Sequence, residues 1–143
     1  MREILFRGKT EQGKWVEGYL VKGNYDTGFG IIEDNIDTGL KYIKEKTIGQ
    51  YTGLTEYSLI KYFKKGKKMF EGDIVKAIIS INDFSRDGVR NEQGIYEIKY
   101  HTKHCYFYLA KKGNNLLFDG NWSYYLKEIK VIGNIHDNPE LLE

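Results

Sequence analysis

The chain has 143 residues, 41% hydrophobic and 29% charged, with 22 basic and 20 acidic side chains and a net charge of +2. That length suits a single domain with a real core, and that composition excludes a disordered or membrane-spanning chain. The charge is too balanced to argue nucleic-acid binding by itself. A single cysteine, Cys105, excludes an internal disulfide framework and fits a reducing cytoplasm.

The first part reads as short strands. Ile4 and Phe6 alternate with Leu5 and Arg7. Glu11-Gln12-Gly13-Lys14 reads as a turn and Trp15 to Lys22 as the returning strand, a hairpin signal. Phe29 to Glu33, Leu40 to Ile43 and Thr47 to Thr52 follow as strands between Gly- and Asp-rich turns, the last ended by Gly53. Leu54, Leu59, Ile60 and Phe63 lie at helical spacings, and Thr55 is placed to cap them, so Leu54 to Phe63 is predicted as a short helix.

The second part opens on Asp73 to Ile81, where Val75, Ala77, Ile79 and Ile81 make one continuous apolar face. Asn82 to Gln93 reads as a polar loop, Ile95 to Tyr100 and Cys105 to Ala110 as a hairpin, and Lys111 to Asn115 as a turn. A helical turn near Leu126 to Ile129 is expected to lead into a strand ending at Ile135. Asn138-Pro139 looks like a helix cap with Pro at the first helical position. Aromatic residues at 15% favour pleated, half-buried surfaces. The pattern predicts an all-β or mainly β fold, barrel-like, with one or two short helices.

Few residues suggest chemistry. In Glu71-Gly72-Asp73-Ile74-Val75, Gly72 supplies a left-handed backbone position and Asp73 a side chain that bonds the nearby backbone. That is a structural turn; its competing reading is a Glu71–Asp73 carboxylate pair. His101, His104, Cys105 and His136 are the candidate soft-metal ligands, but their spacing does not make a tetrahedral set. No metal or other cofactor is expected. Cys105, within Cys105-Tyr106-Phe107-Tyr108, reads as a small buried hydrophobe. Lys61, Lys64, Lys65, Lys67 and Lys68, with Tyr62 and Phe63 among them, have the composition of a nucleic-acid contact; the competing reading is a solvated loop. Tyr96, Tyr100, Tyr106 and Tyr108 are the candidate interface, expected on the outer face of their strands and covered by self-association; the competing reading packs these rings in the core and leaves Ile98, Phe107 and Leu109 under loops, in a monomer. No nucleophile, base and acid converge as a recognisable motif, so an enzyme is not expected.

Four strings in order carry a resemblance. They are Arg2-Glu3-Ile4-Leu5-Phe6-Arg7-Gly8, then Thr47-Ile48-Gly49-Gln50-Tyr51-Thr52-Gly53-Leu54, then Phe70-Glu71-Gly72-Asp73-Ile74-Val75, and finally Val131-Ile132-Gly133-Asn134-Ile135-His136-Asp137-Asn138-Pro139-Glu140-Leu141-Leu142. Together they resemble the YopX family of small bacteriophage and prophage proteins, from end to end. The resemblance implies a β pseudo-barrel over residues 1–143 and no established reaction. It also implies an insertion at about 55–69, where the family has only a brief turn. The expected role is a non-enzymatic accessory protein of the bacterial host cytoplasm. It would bind itself and a phage or host protein; the alternative is nucleic-acid binding through segment 61–68.

Overall fold

Short alternating stretches with aromatic and β-branched residues fold into strands, and the computed structural model has twelve of them among its described residues. It describes residues 3–24, 27–33, 39–58, 66–83, 88–111, 114–117 and 126–143. The chain divides into two compact units, Met1–Gly53 and Leu54–Glu143.

The first unit holds β1 (Phe6–Lys9), β2 (Trp15–Lys22), β3 (Phe29–Ile32), β4 (Leu40–Ile43) and a 3-10 turn at Glu45–Thr47. It also holds the start of β5 (Gly49–Thr55). Neighbouring strands run in the order β4-β3-β2-β1-β5, all antiparallel. Thr10 closes the first hairpin: its N–H donates to the Lys14 carbonyl at 2.8 Å, and its carbonyl accepts from Gly13 N–H at 2.9 Å. Val16, Ile31 and Ile43 are buried together, with Phe6, Leu20, Phe29 and Ile48 against them. The buried Thr47 hydroxyl accepts from Lys9 N–H at 2.8 Å and donates to the Lys44 carbonyl at 2.6 Å. It thereby ties the 3-10 turn to β1.

The second unit holds β6 (Tyr57–Ser58), β7 (Lys68–Phe70), β8 (Asp73–Asp83), β9 (Gly88–His101), β10 (Tyr106–Lys111), β11 (Asn114–Leu117) and β12 (Leu126–Asn134). A 3-10 turn at Pro139–Leu142 follows. The sheet order is β11-β10-β9-β8-β12-β6. One face of this sheet is the core: Val75 and Ala77 from β8, Tyr96 and Ile98 from β9, Phe107 and Leu109 from β10, and Leu126 and Ile129 from β12. Alternation sends the residues between them to the opposite face.

Several expectations change. The barrel-like expectation gives way to a mainly β fold of open sheets, since β11 and β6 end their sheet unpaired with each other among the described residues. The helix predicted from Leu54 is strand over its described part, Leu54–Ser58; residues 59–65 lie outside the described residues. Its apolar spacing was outweighed by pairing, because Tyr57 and Ser58 face Ile129 and Glu128 of β12. Glu56, between β5 and β6, adds to this. Its backbone N–H donates to the Lys67 carbonyl at 2.8 Å, and its carboxylate accepts from Val131 N–H at 2.9 Å and Lys67 N–H at 3.3 Å.

The predicted loop 82–93 is largely ladder, with Asp83 facing Gly88 and Ser80 facing Asn91. Ser80 Oγ donates to Asn91 Oδ1 at 2.8 Å. A ribbon of polar residues gives no period-2 apolar signal, yet its backbone still pairs. Leu126–Asn134 is strand throughout rather than a helical turn, with register shifts at Leu126/Glu128 and Val131/Gly133 that blur its alternation. Asn114–Leu117 is a strand where a turn was expected up to Asn115.

Candidate functional site

The turn before β8 is a tight structural node. Gly72 has φ +81°, a left-handed conformation. Asp73 is 1% exposed, and its Oδ2 accepts from Phe70 N–H at 2.8 Å. Gly72 N–H donates to the Ile98 carbonyl at 2.8 Å, and the Gly72 carbonyl accepts from Ile135 N–H at 2.9 Å. Three stretches of the second unit therefore meet at this glycine. Glu71 is half-buried beside it.

The candidate tyrosines separate into two faces. Tyr96 is 2% exposed and belongs to the core, and Tyr100 packs against that core with its ring 4.9 Å from Phe107. Neither stands on the outer face where both were expected. The reason is parity: Tyr96, Ile98 and Tyr100 share one side of β9. The four-residue turn Thr102–Cys105 then sets Phe107 opposite Tyr100 and Tyr106 opposite His101. Tyr106 and Tyr108 stand on the other side, half-buried.

There they join the two histidines. The rings of His101 and His104 lie 4.8 Å apart, His101 stacks on Tyr106 at 5.2 Å, and His104 is parallel to Tyr106 within 15° at 6.2 Å. Tyr108 meets Tyr106 edge-on at 6.2 Å. Lys99 faces Tyr108 across the strands, and exposed Lys103 sits in the turn. Glu97, the acid on this face of β9, pairs with Lys99 at 3.2 Å. His101 Nδ1 is buried without a hydrogen-bond partner among the described residues. Cys105 is exposed in this turn at φ +56°, not buried in a strand as expected.

Of the lysine segment, Lys61, Lys64 and Lys65 lie outside the described residues. Lys67 is exposed and Lys68 is half-buried at the start of β7. Among the described residues, no three His, Cys, Asp or Glu side chains converge to hold a metal ion. No described helix is long and apolar enough to cross a membrane.

A second surface lies in the first unit, and sequence reasoning missed it. Tyr19, Ile32 and Leu40 stand directly opposite one another across β2, β3 and β4. They are 50%, 39% and 40% exposed. In the next row Tyr42, 59% exposed, continues the same side of β4, opposite Gly30 and Val21. None of these six positions carries a charge, and β4 is an end strand of its sheet. Each residue alone is an ordinary exposed hydrophobe; only the strand register makes them a patch.

Burial pushes the Tyr96 hydroxyl above its ordinary value, and the Glu92 carboxylate adds to the rise. The ring lies over Gly94, and Lys111 Nζ sits 5.6 Å from its centroid. This tyrosine belongs to the core.

No curated protein and no solved structure matches the chain significantly. The model of a family described as YopX protein matches residues 5–143, which takes in three of the four strings entire and most of the first, so the chain belongs to the YopX family.

Proposed function

We propose that this chain is a non-enzymatic accessory protein of a phage or prophage, acting in the bacterial cytoplasm as a protein-interaction module that also binds a second copy of itself. The observation that carries the reading is the uncharged row of Tyr19, Ile32 and Leu40 with Tyr42 beside it, exposed on an end strand. An apolar row of this kind loses free energy in water and gains it under a partner's apolar surface, at about 25 cal/mol for each Å² covered. Tyrosine suits such contacts, since a large apolar body carries a polar tip. Family membership supports the phage setting, and a lone cysteine suits a reducing compartment.

The test is recovery of the full-length chain from infected or lysogenic cells, before and after nuclease treatment. The reading expects protein that remains bound after nuclease and is lost from the variant Leu40→Ser/Tyr42→Ser. Material released by nuclease, or protein retained equally by that variant, contradicts it.

A further inference from the structure

We infer that the side of the β9–β10 hairpin facing away from the core binds single-stranded nucleic acid. It uses no residue of the apolar row of the first unit and none of the lysine segment 61–68.

Four rings, those of His101, His104, Tyr106 and Tyr108, cluster on this side at centroid separations of 4.8 to 6.2 Å. Unlike the core rings of Tyr96 and Phe107, these carry polar edges and stay partly open to water. Stacking on such rings suits any base, because every base has a π-face. The charge complements a phosphate backbone. Lys99 and Lys103 flank the rings, and the one carboxylate of β9 on this side near them, Glu97, is held by Lys99.

The same side of the sheet carries a second cationic group. Lys76 and Lys130 face each other in register on β8 and β12, both exposed. Like charges directly opposite destabilise a sheet, and a bound anion reverses that cost. Ile95, the partner of Lys76, lies four residues before Lys99, about 13 Å along the strand. Leu141 of the C-terminal 3-10 turn lies against Gly133, the strand partner of Ile74, in a row between these lysines and Lys99. An acidic peptide would satisfy the lysines but would leave the stacked rings without a purpose.

The test is fluorescence anisotropy of the full chain with a labelled oligo(dT) of about 15 nucleotides, the upper range of one small-sheet site. Saturable binding is expected, weakening steeply with salt. Tyr106→Ala/Tyr108→Ala should weaken it about tenfold or more, and Tyr106→Phe should not. Replacing Lys99 and Lys103 by Ser should flatten the plot of log K against log salt by about 0.7 for each lost phosphate contact. Absence of saturable binding overturns the inference. So does binding unchanged by the alanine pair, or equal competition by polyglutamate, which would mark a surface for acidic protein. Leu40→Ser/Tyr42→Ser should bind the oligonucleotide normally, so failure here is distinct from failure of the protein-interaction reading.

Discussion

At the scale of the residue, two glycines and a tyrosine carry most of the second unit's local constraint. Gly72 at φ +81° leaves room for a side chain, since an added Cβ would meet Ile135 Cγ1 only at 3.4 Å. The cost of a larger residue is therefore backbone strain, not collision. Gly72→Val should lower stability by about 1–3 kcal/mol in urea melts. An unchanged midpoint would show the turn to be unstrained. Gly94 is the opposite case: an added Cβ would lie 2.5 Å from the Tyr96 hydroxyl oxygen, so the glycine exists to seat that ring. The turn motif was legible in the sequence because Gly-Asp chemistry is local. Gly94 was not, because its reason is a ring that folds back over it.

Tyr96 also sets a pH dependence. Its folded pKa is raised, first by burial and then by Glu92, whereas an unfolded tyrosine titrates near ~10. Above that value the unfolded chain releases a proton that the folded chain keeps, which favours unfolding. The stabilisation is complete below about pH 10 and is lost as pH rises through the folded value. Tyr96→Phe should show less alkaline loss in melts between neutral pH and pH 11. An identical alkaline slope in both proteins would contradict the assignment to Tyr96.

At the scale of the element, the strands most visible in the sequence were those with one wet face. Trp15–Lys22 and Leu40–Ile43 were bounded to the residue: Gly13 and Gly23 bracket the first, and Gly39 precedes the second. The elements that escaped did so for physical reasons. The Asp83–Gly88 end of the β8–β9 ribbon pairs through polar residues, and β12 changes register twice. The segment after Gly53 showed helical spacing but pairs as strand. Over Leu54–Ser58 the pairing of Tyr57 and Ser58 with β12 outweighs that spacing, and Glu56 adds to it by accepting from the backbone N–H groups of Val131 and Lys67. Glu56→Ala removes a charged acceptor from two backbone N–H groups and should destabilise by about 1–3 kcal/mol by chemical melts. Glu56→Gln keeps one acceptor oxygen and should cost less. Equal loss in the two variants would show that the carboxylate's bonds to the backbone contribute little.

At the scale of the whole molecule, the YopX resemblance was carried by four strings and holds over residues 5–143. The division into two compact units was not legible, since no linker-like composition marks Gly53. The side on which each tyrosine of β9 and β10 stands was legible only in part. Tyr106 and Tyr108 were placed on an outer face correctly, while Tyr96 and Tyr100 went to the core. The assignment joined Tyr96 and Tyr100 to the wrong side although Ile98 shares their parity. The exposed row of the first unit was invisible because its members come from three strands and touch only once the register is known.

That row is the basis for proposing an interaction module with a self-association face. Light scattering on the full chain, over a dilution series at micromolar concentration, tests it most directly. A self-associating chain should show a mass of at least twice 16.7 kDa as wild type, falling to 16.7 kDa in Leu40→Ser/Tyr42→Ser. A wild-type mass of 16.7 kDa at every concentration would contradict it.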